Sequence, residues 1–414
     1  MIVAPLVTVP FMAQTELREA QQAEPANRAW QIVPIGAGVV ALGIVMWSLY
    51  TNIAFIDVEV YVRGARAFLD GQPIYDDNPN QLPFIYPPFA ALVFLPLGVL
   101  PGLATAIVTV TSLAALARTS WLLATHAPGL LPKSTTLARA CGIFAGLAVL
   151  EPTIETLRLG QVGLILLWLV AEDLLGDHRS IQGALVGFGT AVKLVPGIFL
   201  PFYVLIGRIR AAIVGGLVFA ASIAIGFVFL PTESAQYWLE DAFSSSRLPS
   251  VEYIANQSFL GAWSRGGGQS GAIWFLFMMV TIAALLIVGA WMWRRDEQLL
   301  AFGTVSLAGL LASPISWTHH WVAMFPLLVG LAAHWASRWV RVPLVLIWLV
   351  LVVRVVWHLP VGEDVQYSGY QWLMASSYTI VGLVSLVMAI VLVARKSGQR
   401  RPCPQSDTST APAR

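Results

Sequence analysis

The chain has 414 residues, of which 57% are hydrophobic and only 11% are charged, and its mean hydropathy is +0.74. Soluble domains carry about a quarter charged residues, so this composition is typical of a polytopic membrane protein. The net charge of +2, without a clustered basic face, excludes a nucleic-acid partner. The two cysteines, Cys141 and Cys403, lie far apart in the sequence and predict neither a disulfide nor a metal site.

The apolar segments predict an all-α polytopic fold with about twelve membrane crossings, because a spanning helix needs about 20 apolar residues. We expect a cytoplasmic tail at 1–30, a transmembrane domain at 31–395 and a second tail at 396–414. The clear crossings lie near 34–54, 211–231, 272–293, 297–312, 319–333, 341–358 and 374–394. Less regular segments lie near 139–152, 160–176, 181–192 and 195–206, and prolines interrupt the region 88–124.

The stretch Ile53–Leu97 contains features that a generic membrane protein does not need. Asp57 and Glu59 directly follow a long apolar segment, where a carboxylate is costly unless it is solvated or used. Apolar residues at three- and four-residue spacing from Asp57 to Leu69 predict a short helix lying on the membrane surface. A Gly-Gln-Pro turn ends it, and three prolines in Leu82–Phe89 predict a stiff extended return path. We define residues 55–87 as one loop outside the membrane.

The distribution of basic residues predicts the orientation. With both termini in the cytoplasm, sixteen of the 24 Lys and Arg residues fall on the cytoplasmic side, two lie within helices and six fall on the other side. The same topology requires an odd number of crossings in 88–124. It places five polar features on the outer face, namely Asp57, Arg158–Gln161, Lys193, the loop 232–271 and the pair His319–His320.

Each polar feature has a structural explanation beside a functional one. Asp57 is an N-cap candidate, a role worth about 1 kcal/mol, or a catalytic carboxylate. Glu59 suits the first turn of a helix, where the helix dipole favours an acid. The segment containing Arg158 and Gln161 is either an ordinary loop or a source of backbone and amide donors for a sugar or phosphate. Lys193 either extends its ammonium from a helix end to the interface or is directed at a lipid phosphate.

Two further clusters are rich in polar and aromatic residues. The loop 232–271 carries aromatic side chains together with Asn256, Gln257 and Arg265, a combination that suits sugar rings but also ordinary protein surfaces. The segment SPISWTHHW contains Trp317 and the adjacent histidines His319 and His320. A belt of aromatic residues at the membrane interface explains the tryptophans, but it explains two adjacent histidines less well.

Six motifs, in this order, carry a resemblance to a known family: FIDVEVYVRGARAFLDGQPIY, LPFIYPPFAALVFLPL, LRLGQVGLILL, AVKLVPGIF, NQSFLGAWSR and LLASPISWTHHWVAMFPL. Together they resemble the GT-C glycosyltransferases that use polyprenyl-phosphate mannose. Within these, the chain is similar to the α-1,2-mannosyltransferases of phosphatidylinositol mannoside and lipoarabinomannan synthesis. SPISWTHHW and PFIYPPFAA resemble segments of the members that add the fifth mannose. The resemblance covers about residues 53 to 330.

The resemblance implies an inverting transfer of mannose from polyprenyl-phosphate mannose to a mannosylated phosphatidylinositol at the outer face of the plasma membrane. Asp57 is implied as the base, with Glu59 as a second candidate, and His319 or His320 as the residue that orients the acceptor or binds the donor phosphate. Arg158 or Lys193 is implied to neutralise the leaving phosphate. The other expected substrate contacts are Tyr86, Gln161, Asn256, Gln257, Arg265 and Trp317. No cofactor or metal is expected, and the partners are the two lipid substrates and the membrane.

Three alternatives remain open at this stage. A transporter or flippase for a lipid-linked sugar also contains broken helices and buried charge, although no internal repeat is visible. A related GT-C enzyme that uses an arabinosyl donor has similar motifs. A non-catalytic structural subunit is the third alternative. The sequence also leaves open the acceptor, the role of Glu59 and which of His319 and His320 is functional.

Overall fold

The computed structural model describes residues 24–52, 54–75, 81–178, 180–241, 251–268, 271–362, 365 and 367–399. Most of the expected tail 1–30 and residues 400–414 of the expected tail 396–414 lie outside these residues. Within the described part, regular structure is helical, and backbone pairing of the β type is limited to one isolated bridge between Asn256 and Trp317. The predicted all-α fold is confirmed.

Nineteen α-helices follow one another along the described part of the chain. They are α1 (Glu24–Thr51), α2 (Ile56–Leu69), α3 (Pro88–Val93), α4 (Leu95–Val99), α5 (Pro101–His126), α6 (Thr136–Ala148), α7 (Glu151–Leu159), α8 (Gly163–Leu175), α9 (Ala184–Val192), α10 (Phe199–Leu205), α11 (Ile209–Phe229), α12 (Pro231–Gln236), α13 (Phe259–Arg265), α14 (Ala272–Trp293), α15 (Gln298–Ala312), α16 (Phe325–Ala332), α17 (Arg338–Val353), α18 (Tyr370–Ala375) and α19 (Ser377–Gln399). Short 3₁₀ segments cover Val195–Ile198, Thr318–Met324 and Val355–His358, and a π turn covers Tyr237–Asp241.

Among the described residues, five helices are long and apolar enough to cross a membrane, and counting the bent pair α6–α7 as one span brings the number to six. The five contain Trp30–Thr51, Pro101–His126, Ile209–Phe229, Trp274–Trp293 and Ser377–Lys396. The other apolar helices are shorter, among them Gln298–Ala312, which is almost entirely buried by neighbouring helices. A multi-pass membrane protein follows from these helices, and the number of twelve crossings stays a prediction.

Prolines set the breaks between the helices. Pro96 and Pro101 lie in the first turns of α4 and α5, so the region 88–124 contains two short helices followed by one long one. Pro152 likewise lies in the first turn of α7, which is bent by 74° from α6. The interpretation of this segment as an ordinary loop was therefore wrong. Because a proline at N1 or N2 needs no backbone N–H, it starts a new helix there without losing a hydrogen bond.

Helix α2 confirms the predicted helix but packs differently from the expectation. Its apolar face is buried against α3, α4 and α5, with the Cα of Gly64 close to the ring of Phe84 and Ala65 close to Gly98. Tyr61 stacks on Phe94 with ring centroids 4.3 Å apart. Protein, and not a lipid surface, therefore covers this face, because the extended return path brings a cluster of aromatic rings back over it.

Candidate active site

A cavity of about 1060 Å³ brings the five predicted polar features together. Asp57 reaches it from α2, Arg158 and Gln161 from the end of α7, Lys193 from the break after α9, and Tyr253 with Arg265 from the loop 232–271. His319 and His320 complete its wall. The cavity joins features whose sequence positions span more than 260 residues, and their place on the outer face stays a prediction.

Asp57 does not cap its helix. The N-cap position belongs to Phe55, in a left-handed conformation (φ 45°), and Asp57 lies within the first turn, where its carboxylate faces the cavity. Burial raises the pKa of Asp57 above its ordinary value, while a hydrogen bond from Gln161 and the charge of Lys193 act in the opposite direction. The N-cap explanation of this acid is therefore wrong, and a partly buried carboxylate in a cavity remains.

The end of α7 fixes where α2 begins. The carbonyl oxygen of Arg158 accepts hydrogen bonds from the backbone N–H groups of Ala54 and Phe55, at 3.3 and 2.9 Å. Gly160 ends α7 in the left-handed conformation (φ 73°), and a Cβ there would lie 2.2 Å from Cγ2 of Val58. Only glycine allows this approach between the end of α7 and the first turn of α2. Asp57 is therefore positioned by a backbone contact.

The backbone of Gly160 and Gln161 is not available to a ligand. The N–H of Gly160 donates to Leu157 at 3.2 Å and that of Gln161 donates to Thr156 at 2.8 Å, so both groups close the end of α7. The expectation that these two residues offer backbone donors to a sugar or phosphate is therefore wrong. The side chain of Gln161, which is 4% exposed, still lines the cavity.

A buried carboxylate at the cavity wall pairs with two arginines, of which Arg158 also lines the cavity. Glu155, 2% exposed, accepts from Arg158 Nε at 2.8 Å and also pairs with Arg354. Arg354 falls inside the predicted crossing 341–358, but it ends α17 in a left-handed conformation (φ 61°). Glu155 was not among the predicted site residues. The i, i+3 spacing of Glu155 and Arg158 on one helix is the signal that would have found it.

Lys193 and His320 form a partly buried pair. The Nζ of Lys193 lies 3.0 Å from Nε2 of His320 and 5.6 Å from the ring centroid of Tyr86. An ammonium can only donate, so His320 accepts at Nε2 and is neutral when Lys193 is charged. Burial lowers the pKa of Lys193 to about 8, while the charge of Asp57 opposes the shift. The predicted break at Lys193 is confirmed, since α9 ends at Val192 and a 3₁₀ turn follows.

His319 differs from its neighbour in its partners. Its backbone carbonyl accepts from the hydroxyl of Thr156 at 3.1 Å, which fixes the segment against α7. Its side chain is 6% exposed and lines the cavity, and Nε2 has no hydrogen-bond partner among the described residues. A buried polar atom without a partner costs free energy, so this nitrogen is available to a bound ligand.

Three other predicted contacts line the cavity. Tyr86 is buried beside Lys193, and Trp317 lies edge-on to Tyr253 with ring centroids 5.8 Å apart. Arg265 is 6% exposed and donates to the carbonyl oxygens of Tyr253 and Asn256. Most of its guanidinium therefore holds the loop, and burial lowers the pKa of Arg265 to about 10.

Three predicted contacts lie away from the cavity. Asn256 and Gln257 are fully buried, and their amides bind backbone groups of the 251–258 loop, the SPIS segment and the α18–α19 junction. Their polar atoms are already paired, because these amides replace regular secondary structure in joining the segments. Glu59 is exposed on the outer side of α2 and does not line the cavity. Asp57 is thus the carboxylate of this helix that faces the cavity.

No group of three or more His, Cys, Asp or Glu side chains in the described part of the chain has the geometry to hold a metal ion. The carboxylates that line the cavity are Asp57, Glu155 and Glu252, and its basic residues are Arg158, Lys193, Arg265, His319 and His320.

Comparison with known proteins identifies a family and several relatives of the chain. Residues 84–314 match the model of glycosyltransferase family 87. The polyprenol-phosphate-mannose-dependent alpha-(1-2)-phosphatidylinositol mannoside mannosyltransferase of Mycobacterium tuberculosis is 32% identical over 90% of this chain and 93% of its own. The polyprenol-phosphate-mannose-dependent alpha-(1-2)-phosphatidylinositol pentamannoside mannosyltransferase of Mycolicibacterium smegmatis is 33% identical over 74% of this chain and 77% of its own. No solved structure matches the chain.

These relatives confirm the resemblance that the motifs predict. The family model covers more than half of the chain, and its region contains Tyr86, Gln161 and Lys193 of the cavity. The match to the tuberculosis relative extends over nearly the whole sequence. The chain therefore belongs to glycosyltransferase family 87.

Proposed function

We propose that the protein transfers mannose from polyprenyl-phosphate mannose to a mannosylated phosphatidylinositol and forms an α-1,2 linkage. The observation that carries the proposal is the Asp57 carboxylate in the same cavity as the buried cation Lys193. A glycosyl transfer between two lipids needs these two charges, one to receive a proton and one to meet a leaving phosphate. The names of the relatives supply the donor and the class of acceptor.

The reaction inverts the anomeric carbon of the donor. The acceptor hydroxyl oxygen forms a bond to C1 of the β-linked mannose, and its proton passes to the carboxylate of Asp57. The bond between C1 and the phosphate oxygen breaks, and polyprenyl phosphate leaves with the bonding electrons. One carboxylate is enough because phosphate leaves without protonation, whereas most glycosidases use a pair of carboxyl groups.

Lys193 is the residue proposed to meet the leaving phosphate. Arg158 shares the carboxylate of Glu155 with Arg354, so an ion pair holds its guanidinium at that carboxylate. Lys193 has no carboxylate within ion-pair distance among the described residues, and its hydrogen bond goes to the neutral acceptor His320. An ammonium held in a partly buried site stabilises negative charge that develops in the transition state more than a solvated one does.

The two histidines are proposed to have different roles. His320 holds the ammonium of Lys193 in place, whereas His319 presents an unpaired Nε2 to the cavity. We assign His319 to direct contact with a hydroxyl or phosphate oxygen of a substrate. Tyr86, Trp317 and the free edge of Arg158 are proposed to form the remaining walls of the sugar site.

The cavity is proposed to open to the outer face of the plasma membrane of a GT-C fold with about twelve crossings. The support is the count of basic residues, most of which lie on the opposite side in this topology. In the same orientation Arg354 comes to the outer side, since it ends α17 and pairs with Glu155 of the cavity wall.

Purified protein in lipid nanodiscs, given polyprenyl-phosphate mannose with a labelled sugar and phosphatidylinositol mannosides of increasing length, tests the proposal. The expected result is a longer glycolipid with a new α-1,2-linked mannose, identified by mass spectrometry and linkage analysis. A parallel reaction with an arabinosyl donor is expected to give no product. Movement of the donor across the bilayer without any transfer would contradict the proposal and favour a flippase.

A further inference from the structure

The side chain of Gln161 lies in a network of hydroxyl groups that the proposed reaction does not yet use. Its Oε1 lies 3.2 Å from the hydroxyl of Tyr61 and 3.4 Å from that of Tyr86, and the two hydroxyls are 3.1 Å apart. Tyr61 is fully buried and Tyr86 is 5% exposed. Two phenols from different elements, α2 and the extended segment before α3, thus converge on one amide oxygen.

This arrangement fixes the orientation of the amide. Burial raises the pKa of both phenols, so both carry their protons at neutral pH and donate. A phenol hydroxyl can also accept, whereas an ionised carboxylate can only accept, so the amide can meet Asp57 only with its NH₂ group. The NH₂ group of Gln161 must therefore point the other way, and its partner there is the carboxylate of Asp57. The hydroxyls hold the amide with its donor directed at the proposed base.

We propose that Gln161 is a positioning residue for Asp57, and that Tyr61 and Tyr86 hold its amide in the orientation that donates to the carboxylate. The inference rests on the proposed function, in which Asp57 is the base. It gives Gln161 a different task from the sugar contact expected from the sequence. Tyr61, a buried residue of α2, becomes part of the site.

The physical need for such a residue comes from where Asp57 lies. Its carboxylate is removed from bulk water, which favours the protonated form, and a protonated carboxyl cannot receive the acceptor proton. A hydrogen bond from Gln161 favours the ionised form and at the same time restrains the rotation of the carboxylate. Asp57 and Tyr61 both lie on α2, so the amide of Gln161 connects the side chain of the base to a second side chain of the same helix.

The pH dependence of kcat distinguishes positioning from substrate contact. Gln161→Met keeps the length of the side chain and removes the C=O and NH₂ groups of the amide. The acid limb of the pH profile, where kcat rises as the base loses its proton, is expected to move up by about one pH unit in this variant. At a pH below both limbs, this shift lowers kcat about tenfold, while KM for the acceptor changes less than twofold. Tyr61→Phe is expected to move the limb in the same direction by a smaller amount.

Tyr75→Phe is the matched control. It also removes a buried phenol of the aromatic cluster around α2, but that hydroxyl donates to the backbone carbonyl of Tyr86 at 2.8 Å instead of to Gln161. We expect its acid limb to coincide with that of the parent protein. Tyr61→Phe and Gln161→Met are compared with it at equal thermal stability in detergent, and Tyr61→Phe alone decides the matter if Gln161→Met does not fold.

Two results would overturn the inference. One is an unchanged acid limb in both Gln161→Met and Tyr61→Phe. The other is a rise in acceptor KM with kcat and its pH profile intact, which is the signature of a substrate contact. The variant Asp57→Asn separates this failure from failure of the proposed function. An inactive Asp57→Asn with an unshifted Gln161→Met leaves the base assignment standing and removes only the positioning role.

Discussion

Gly160→Ala tests whether the contact between α7 and α2 positions the base. The new Cβ would lie 2.2 Å from Cγ2 of Val58, whereas carbon atoms in contact are about 3.5 Å apart, so the two groups must separate by about 1.3 Å. Val58 follows Asp57 directly on the first turn of α2. A misplacement of about 1 Å at a reacting group lowers the rate about 100-fold, and we expect kcat to fall by that amount.

The control for Gly160→Ala is Gly71→Ala. Gly71 has a similar left-handed backbone (φ 64°), but nothing lies within 4 Å of its added Cβ. Both variants therefore carry a backbone cost of about 1 kcal/mol, and only Gly160→Ala adds the collision. The double variant Gly160→Ala/Val58→Ala removes the colliding methyl group, which leaves the closest atom of residue 58 at 3.5 Å. It is expected to recover part of the lost rate.

The assay is transfer of labelled mannose by purified variants in nanodiscs, with thermal unfolding measured on the same samples. The expected order of kcat is parent and Gly71→Ala highest, then the double variant, then Gly160→Ala. If Gly160→Ala and Gly71→Ala have the same kcat, the end of α7 does not set the position of Asp57 and the reasoning is refuted.

Three further predictions follow from the other contacts of the cavity. Because the pKa of Lys193 is about 8, its charge is lost as the pH rises through that value, and kcat/KM for the donor is expected to fall there. Lys193→Arg keeps its charge, so this alkaline limb of the pH profile should be absent in the variant. An alkaline limb that persists in Lys193→Arg rules Lys193 out as its origin. His319→Gln should raise the donor or acceptor KM more than tenfold and leave the alkaline limb of the pH profile unchanged. His320→Gln should instead move that alkaline limb. Equal effects of the two variants would contradict the division of roles. Asn256→Ala should destabilise the protein by about 3 kcal/mol, because buried backbone groups lose their partners. The loss is measured as a lower melting temperature. A raised KM without destabilisation would instead identify Asn256 as a substrate contact.

Sequence patterns identified cavity residues best where a polar side chain stands in strongly apolar surroundings. A carboxylate, a lysine and a histidine pair inside strongly apolar surroundings each carry a cost, so composition alone marks Asp57, Lys193 and His319–His320 as unusual. The cavity contains all four. The charge asymmetry of the loops supplied the further prediction that these residues share one side of the membrane.

Patterns did not distinguish a polar residue that binds substrate from one that joins two loops. Asn256, Gln257 and Arg265 look alike in sequence, but only Arg265 reaches the cavity and the two amides bind backbone groups of distant segments. These pairings depend on tertiary contacts between residues more than 50 positions apart, and local sequence periodicity does not predict such contacts. The role of Tyr61 could not be predicted for a related reason. Helical periodicity indicates that its ring is buried, but it does not indicate that its hydroxyl donates to Gln161.

The rate of mannosyl transfer by Asp57→Asn tests the central claim most directly. Asparagine has nearly the same size and can still accept a hydrogen bond from Gln161, but it cannot take a proton from the acceptor hydroxyl. General-base catalysis contributes about 100- to 10,000-fold, so the variant should lose at least about 100-fold in kcat at parental thermal stability and with donor KM little changed. A variant that folds normally and transfers mannose at the parental rate would contradict the assignment of Asp57 as the base.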